Sequence, residues 1–290
     1  MKMEIGMTDS SKNSTKESVL ACLEQNQGDF ISGGALSAAL GLSRNSVWKA
    51  IESLRSEGYK IEAVTRKGYR LSFDNDILSE EGIRARFQKL CSMNGGQADK
   101  SASGNKSVIP TVYVYPELES TNRTAKDLAS EGALHGTLVI ACRQTKGAGH
   151  KNSSFFSPEG GLYMSLILRP SHMPETKPSV LTSAASAAVV QAIYDQCGKK
   201  AELRALNRLY LDGKKVCGIL SEGIWDLETD TPATYIVGIG IHYSTPSSAF
   251  PADAEDPAGS VFPEVSSRPS SATRNDLAAR ICYYLLSSLT

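Results

Sequence analysis

The sequence predicts an α+β fold in two domains, one small and mostly helical, the other larger and built on a mixed sheet. Apolar residues recur at helical spacing in the first part of the chain, whereas short β-like runs and a few long helices follow after residue 110. A chain of 290 residues is long enough to bury two hydrophobic cores. The composition, 41% hydrophobic and 21% charged, is that of an ordinary globular protein.

Changes of composition along the chain predict four segments. The first residues are polar, and a stretch rich in Gly and Ser, CSMNGGQADKSASGNKS, separates the two patterned regions. A helix that starts near Ser79 precedes this stretch, with Glu80 and Glu81 in its first turn. The predicted segments are a disordered N-terminus (1–15), a first domain (16–75), a connecting helix with a flexible insertion (76–110) and a second domain (111–290).

The sequence also indicates the compartment. No apolar run approaches the roughly 20 residues of a membrane-spanning helix, and the N-terminal MKMEIGMTDSSKNSTKE has no signal-peptide core. We therefore expect a cytoplasmic protein with no membrane partner. Six scattered cysteines without a CxxC pair predict free thiols. Because the formal net charge is zero, any contact with nucleic acid must come from a local patch.

The first domain has the order helix, short helix, glycine turn, longer helix, hairpin. Helical spacing starts at Lys16, the segment GALSAAL forms a short helix that Gly41 ends, and Ser43 caps a longer helix over Arg44–Glu57. Two strand-like runs joined around Thr65–Gly68 then predict a hairpin. This is the order of a winged helix-turn-helix, whose longer helix enters the major groove of DNA.

Basic residues concentrate on the two elements that would face DNA. Across Ser43–Arg70, seven Lys and Arg stand against three acids, which leaves a local charge of +4. A small helical domain that packs against protein is the alternative, but the position of the basic excess favours operator DNA. The predicted DNA-contacting residues are Arg44, Asn45, Ser46 and Lys49 on the long helix, and Arg66 and Lys67 at the hairpin tip.

The second domain combines strands with three helices. Asp212-Gly213, between two strand-like runs, is a strong hairpin signal. Ser244–Ser271 is predicted to be a long loop. The predicted strands are Val112–Tyr115, Thr137–Cys142, Leu162–Leu168, Leu209–Leu211, Val216–Leu220 and Tyr235–Ile241, and the predicted helices are Ser120–Ala133, Ser179–Cys197 and Arg274–Leu289.

The chain resembles a known protein family in six segments. These are GALSAALGLSRNSVWKAIESLRSEGY, ESTNRTAKDLASEGA, QTKGAGHKNSSFFSPEGGLYMSLILRP, LYLDGKKVCGILSEG, IVGIGIHY and RNDLAARI. In these segments and in their order the chain resembles the bifunctional biotin protein ligase/biotin operon repressor family, over residues 16–73 and 111–290. The resemblance implies a winged helix followed by a mixed-sheet domain of the biotin/lipoate ligase, or class II synthetase-like, type. It implies biotin and ATP as ligands, biotinyl-5'-adenylate as their product, and transfer of biotin to a lysine of a biotin carboxyl carrier domain. The adenylate would also promote homodimerisation and operator binding.

The resemblance implies a ligand site with hydrogen-bonding side chains for the biotin ring, glycines near the phosphate and a lysine at the reacting groups. The implied residues are Ser120, Thr121, Asn122 and Gln144 for the ring, Gly147, Gly149 and Gly218 for the phosphate, and Lys215, which is catalytic if the chain is an active ligase. On the residues alone, Ser120 could instead be a helix N-cap and Lys215 a solvated surface lysine. No metal is expected, because no spaced carboxylate or cysteine accompanies His150 or His242.

The chain departs from the family's pattern in the adenylation loop, roughly GRGRxGRKW. Ala148, His150 and Ser153 stand at the positions of its three arginines, and Phe155 stands at the tryptophan. Loss of one group that stabilises an anion typically costs about 10²–10³ in rate. Lys146 and Lys151 flank these positions, but a lysine is a point charge rather than a bidentate fork.

Further departures lie beyond the loop. The family's KWPND segment appears as Arg204-Ala205-Leu206-Asn207-Arg208, so an arginine replaces an aspartate. His242 replaces the asparagine of the GIGIN strand, and the sequence ends at Thr290, where the family adds a small β-barrel domain.

These observations predict a DNA-binding transcriptional repressor whose second domain binds biotin or a related small molecule. An active bifunctional biotin–[acetyl-CoA-carboxylase] ligase is one alternative. A degenerate copy without ligand function is another.

Overall fold

A computed structural model describes residues 10–94, 109–149, 153–174, 177–205, 207–226, 228, 231–250 and 256–289. Its helices and strands confirm the predicted α+β fold class. The helices are α1 (Ser10–Gln25), α2 (Gly33–Leu40), α3 (Arg44–Ser56), α4 (Glu80–Asn94), α5 (Thr121–Ser130), α6 (Pro178–Cys197) and α7 (Arg274–Ser288). The strands are β1 (Ile61–Val64), β2 (Gly68–Leu71), β3 (Val112–Leu118), β4 (Leu138–Gln144), β5 (Leu162–Leu168), β6 (Glu202–Arg204), β7 (Arg208–Leu211), β8 (Lys214–Asp226) and β9 (Thr231–Ile241).

The N-terminal part packs three helices against the β1–β2 hairpin. Ser32 and Ser43 cap α2 and α3, because their hydroxyls accept hydrogen bonds from the amides of Ala35 and Ser46. Gly41 ends α2 in the left-handed conformation, with φ of 65°. The shared core is apolar, and its fully buried members include Val19, Leu23, Leu36, Ile51, Leu54 and Leu71.

Two sequence predictions about irregular segments are wrong in part. Disorder was expected through residue 15, but α1 begins at Ser10; residues 1–9 lie outside the described part of the chain. A packed helix gains one backbone hydrogen bond for each residue added, so it can extend into a polar segment that carries no apolar signal. For the same reason α4 continues to Asn94, into the predicted flexible insertion, whose remaining residues are not described.

The C-terminal part is built on a seven-stranded mixed sheet with the strand order β3-β4-β5-β9-β8-β7-β6. The β3–β4 pair is parallel and is connected through α5, whereas the other neighbours are antiparallel. Helices α4, α6 and α7 cover one face with a large apolar core, and α5 packs on the other face through Ala125 and Ala129.

Several strand limits differ from the predicted ones. Strands β8 and β9 extend beyond Val216–Leu220 and Tyr235–Ile241, because their hairpin continues past the buried core into half-exposed residues. Strand β6 was not predicted, since its three residues are all exposed. The predicted turn at Asp212-Gly213 is confirmed, with φ angles of 51° and 76°.

None of the helices in the described residues is long and apolar enough to cross a membrane. All six cysteines are free thiols.

Polar contacts connect the two parts of the chain. The carboxylate of Asp76, in the segment that leaves β2, accepts hydrogen bonds from the backbone amide and guanidinium of Arg274, at 2.7 and 3.2 Å. It also pairs with Arg268 at 3.3 Å. Side chains of both arginines are largely buried, 8% exposed for Arg268 and 16% for Arg274. Arg274 in addition donates to the carbonyl of Gly161, just before β5.

We expect Asp76→Ala to lower the free energy of unfolding by about 3 kcal/mol, because it leaves two buried guanidinium groups without their carboxylate. Asp74→Ala is the matched control, since Asp74 pairs with the exposed Lys60 at 2.5 Å, and exposed pairs contribute about 0–1 kcal/mol. Urea unfolding followed by tryptophan fluorescence measures both variants. Equal losses in the two variants would contradict the structural importance of the Asp76 contacts.

Candidate functional site

Two parallel strands bring the first ligand-site residues to one edge of the sheet. Leu118, at the end of β3, pairs with Gln144, at the end of β4. Helix α5 starts directly after β3, so Ser120, Thr121 and Asn122 lie beside Gln144. The sequence order strand, helix, strand therefore places these four side chains together.

The floor of the site is a group of glycines on one face of the central strands. Gly218 of β8 pairs with Gly240 of β9, and Gly238 pairs with Leu220 on one side and Ser165 on the other. Alternate residues of a strand point to opposite faces, so these glycines leave a hollow on the face that α5 covers. A cleft of about 600 Å³, including the space at its open mouth, lies over them.

Side chains of the protein enter the space above these glycines. A Cβ atom at Gly238 would lie 2.0 Å from Oδ1 of Asn122. Cβ atoms at Gly218 and Gly240 would lie 2.9 and 2.5 Å from the ring of Phe155. Only glycine lets Asn122 and Phe155 approach the sheet this closely.

Residues 147–149 and 153–155 approach each other closely. The amide of Phe155 donates to the carbonyl of Gly147 at 2.8 Å, and the amide of Gly149 donates to the carbonyl of Ser153 at 2.7 Å. A Cβ atom at Gly147 would lie 2.4 Å from the Phe155 carbonyl oxygen, and one at Gly149 would lie 2.5 Å from Oγ of Ser153. Glycine at these positions therefore lets the two arms of the loop approach each other.

Hydrogen bonds orient the amide of Gln144. Its Oε1 accepts from the backbone amide of Thr121 at 2.8 Å and from the Thr121 hydroxyl at 3.1 Å. Its Nε2 donates to the hydroxyl of Ser157 at 2.9 Å, and Ser157 donates to the carbonyl of Phe155 at 2.8 Å. Because a carbonyl can only accept, the direction of this chain of hydrogen bonds is set from its end.

A carboxylate orients Asn122 in the same way. Nδ2 of Asn122 donates to Glu222 at 2.7 Å, and Lys126 donates to the other oxygen of Glu222 at 2.7 Å. Oδ1 of Asn122 accepts from the buried hydroxyl of Ser165 at 2.6 Å, and Ser165 also contacts Oγ1 of Thr121 at 2.8 Å. The Asn122 amide is thus largely occupied by the protein.

Ser120 is different, because its position is that of an N-cap but its side chain makes no capping hydrogen bond. Ser120 is one of the residues that line the cleft.

The other end of the cleft carries two cations around one carboxylate. Arg208 lies 3.4 Å and Lys215 3.7 Å from the same oxygen of Asp256. Tyr210 donates to this carboxylate at 2.8 Å. Burial, followed by the hydrogen bond to Asp256, raises the pKa of Tyr210. The segment after Asp256 is anchored to β8, because the amide of Lys215 donates to the carbonyl of Pro257 at 2.8 Å.

The residues that replace the family's arginines are partly described. Ala148 and Ser153 line the cleft and are exposed, whereas His150 and Lys151 lie outside the described residues. Lys146 is directed to Glu119, with its Nζ 2.9 Å from the carboxylate, and does not line the cleft.

His242 supports the ring of Phe155. The two rings stack with centroids 5.0 Å apart, and Nε2 of His242 contacts the carbonyl of Phe156 at 2.8 Å. Burial lowers the pKa of His242, which favours the neutral ring. No group of three or more metal-ligating side chains is clustered in the described part of the chain.

Sequence reasoning did not identify four residues that build the site: Ser157, Ser165, Glu222 and Asp256. Each is distant in sequence from the group it orients, so no local spacing links the two.

The predicted DNA-facing residues lie on the start of α3 and the tip of the hairpin. Arg44, Asn45 and Lys49 are exposed, whereas Ser46 is partly buried and its hydroxyl contacts Oγ of Ser43 at 2.9 Å. Ser46 therefore belongs to the helix cap as well as to the predicted surface.

At the hairpin tip, Arg66 and Lys67 are exposed. The ammonium of Lys67 lies 5.7 Å from the centroid of the Phe30 ring.

Ion pairs divide the basic residues of this part into two groups. Arg55, Lys60 and Arg70 pair with Glu52, Asp74 and Glu62. Among the described residues, no ion pair involves the other four cations of Ser43–Arg70, which are Arg44, Lys49, Arg66 and Lys67. The local positive charge is thus carried by the residues that the sequence predicts to contact DNA.

Comparisons with known proteins agree with this architecture. The HTH domain family matches residues 15–70, and the Biotin/lipoate A/B protein ligase family matches residues 114–241. The bifunctional ligase/repressor BirA of Bacillus subtilis (strain 168) is 38% identical over 252 residues, which are 86% of this chain and 71% of that protein. The protein of the same name from Escherichia coli (strain K12) is 30% identical over 217 residues, 74% of this chain and 60% of that protein.

Solved structures have a similar fold over 62% of this chain. The biotin protein ligase from Aquifex aeolicus in complex with biotin and ATP has a TM-score of 0.51 at 26% identity, covering 62% of this chain and 70% of that chain. The biotin protein ligase from Leishmania major in complex with biotinyl-5-AMP has a TM-score of 0.52 at 21% identity, covering 62% of this chain and 74% of that chain. From its sequence relatives, supported by this fold, the chain belongs to the family of bifunctional biotin ligase/repressor proteins.

Proposed function

We propose that the protein is a DNA-binding repressor whose second domain binds biotin. The observation that carries this proposal is the polarity of the cleft. One end offers neutral hydrogen-bonding groups in fixed orientations, and the other end offers two cations. Biotin has the matching polarity, with a neutral ureido ring at one end and a carboxylate at the other.

The end of the cleft with neutral groups, here called the ring end, is preorganised for a ligand that has both hydrogen-bond donors and acceptors. Ser120 and Gln144 line this end, and we expect the Ser120 hydroxyl and the second hydrogen of the Gln144 amide to contact the ligand. Since the orientation of Gln144 is fixed within the protein, binding costs little reordering of side chains.

Ligase activity is the second candidate, and the position of Lys215 at the cationic end favours it. In that function ATP is the co-substrate, and Lys215 is the catalytic residue, which reduces the repulsion between the biotin carboxylate and the α-phosphate. A carrier domain would then receive the biotin, and a homodimer would bind the operator. The exposed Ala148 and Ser153 supply no positive charge where the family's pattern has arginines, so repression with biotin sensing remains our main proposal.

For the DNA surface, we expect the double variant Arg44→Ala/Lys49→Ala to bind duplex DNA more weakly. Each lost phosphate contact should lower the slope of log K against log salt by about 0.9, hence by about 1.8 for both. Fluorescence anisotropy with a labelled random-sequence duplex at several salt concentrations measures this slope. Lys60→Ala is the control, because Lys60 is already paired with Asp74, and its slope should equal that of the parent. An unchanged slope in the double variant would refute the assignment of α3.

For the cleft, we expect Gly238→Ala to weaken biotin binding at least roughly ten-fold, since the new methyl group displaces Asn122 and the hydrogen bonds that depend on it. Gly223→Ala is the matched control, because a Cβ atom there meets its nearest neighbour at 3.4 Å. Isothermal titration calorimetry with biotin measures both variants, and circular dichroism checks their folding. Parent-like affinity of folded Gly238→Ala would mean that biotin does not bind over these glycines.

For the chemistry, we expect the variant Ala148→Arg/Ser153→Arg to form biotinyl-adenylate at least about 100-fold faster than the parent chain, because it restores two cations at the loop. Both positions are exposed, so the longer side chains have room. The assay uses purified protein with radiolabelled ATP, biotin and a carboxylase carrier domain. A parent chain that already labels the carrier as fast as the variant would establish the active ligase instead.

A further inference from the structure

We propose that Arg208 is a ligand-binding residue that selects an anionic group, the carboxylate of biotin or the phosphate of its adenylate. This inference deepens the proposed function and rests on it. The residue stands where the family's pattern has an aspartate, so neither the resemblance nor the family match assigns it a role.

The register of the sheet places Arg208 at the cleft. Arg208 of β7 pairs directly with Gly218 of β8, which in turn pairs with Gly240 of β9. Directly paired residues of neighbouring strands share a face, so Arg208 lies on the same face as the glycine floor. Because Gly218 has no side chain, nothing on the adjacent strand separates the arginine from the hollow. Arg208 accordingly lines the cleft.

The charge at this end of the cleft is positive. The charged side chains among its described lining residues are Arg208 and Lys215, and none of these lining residues is acidic. Asp256 holds both cations from outside the lining, but at 3.4 and 3.7 Å. Charge-assisted hydrogen bonds are typically about 2.7–2.9 Å long, so neither cation is tightly engaged.

Asp256 is itself held by another group. The hydroxyl of Tyr210 lies 2.8 and 2.9 Å from its two oxygens, which are closer contacts than those of the cations. The carboxylate is therefore fixed by Tyr210, and it keeps Arg208 and Lys215 near each other before a ligand arrives. An anion entering the cleft meets two cations that are near each other but only loosely paired, one of them a guanidinium that can bind two oxygens at once.

The experiment compares charged and neutral ligands in the full chain. Calorimetry measures binding of biotin, of its neutral alcohol biotinol, and of a non-hydrolysable sulfamoyl analogue of biotinyl-adenylate. In Arg208→Ala we expect the affinity for biotin and for the analogue to fall roughly ten-fold to a hundred-fold. The affinity for biotinol should stay within about two-fold, because no charge is present for Arg208 to contact. Arg208→Lys should recover part of the loss.

Arg143→Ala is the matched control. Arg143 is 52% exposed and pairs with Glu117 at 3.1 Å, much as Arg208 is 50% exposed and pairs with Asp256, but it does not line the cleft. All three ligands should bind this variant as they bind the parent.

Three results would overturn the inference. If Arg208→Ala binds biotin and the analogue as the parent does, Arg208 has no ligand role, while the proposed biotin site stands. If it loses biotin and biotinol equally, Arg208 supports the fold of the hairpin rather than selecting an anion. A parent chain that binds none of the three ligands would refute the proposed function together with this inference.

Discussion

The cleft depends on one constraint, which is the absence of side chains at neighbouring positions on one face of the sheet. Gly218, Gly238 and Gly240 lie on two paired strands, and each would place a Cβ atom within 3 Å of another side chain. Such contacts are far shorter than normal packing distances, so any larger residue must move Asn122 or Phe155. These glycines determine where the ring end of the cleft lies and where Phe155 lies. They also give Arg208 access to the hollow.

The polar groups above this floor are oriented by acceptors at the ends of their hydrogen-bond chains. The Glu222 carboxylate determines which end of the Asn122 amide faces Ser165, and the Phe155 carbonyl determines which end of the Gln144 amide faces Thr121. An amide alone can bind in two flipped orientations with similar shape. Groups that can only accept remove this ambiguity, so the cleft presents one pattern of donors and acceptors to a ligand.

Local sequence patterns predicted most of the secondary-structure elements, whereas the candidate ligand-site residues came from the family resemblance. Strand β5 was predicted with its observed limits, Leu162–Leu168, because all its residues except Ser165 are apolar or aromatic and it is buried along its length. The Asp212-Gly213 turn was also recognisable, since its residue types adopt the required left-handed backbone. The ends of β8 and β9 could not be predicted, because half-exposed residues of a long hairpin have no distinctive periodicity.

Some residues of the site were predicted from the sequence, whereas the residues that support them were not. Ser120, Thr121, Asn122 and Gln144 lie at strand ends or helix starts, and the resemblance to the family implies them as ligand-site residues. Their supports, Ser165 and Glu222, lie on strands β5 and β8 and meet Asn122 only through the order of the strands in the sheet. Sequence spacing contains no information about such pairs, which is why the supporting residues and Asp256 were missed.

The two surfaces that are proposed to bind anions arrange their cations differently, and the difference suits their ligands. On the N-terminal part, Arg44, Lys49, Arg66 and Lys67 are exposed and, within the described residues, have no acidic partner. Exposed, unpaired cations release counterions from a long polyanion and tolerate variation in its position, as contacts to a DNA backbone require. In the cleft, a carboxylate fixed by Tyr210 holds two cations near one point. A small ligand presents a single anionic group at a defined distance from its neutral ring, so it gains more from cations that are kept near one point before it binds. A chain with zero net formal charge can thus carry two separate groups of cations, because charge is distributed by the pairing of individual residues rather than by their total number.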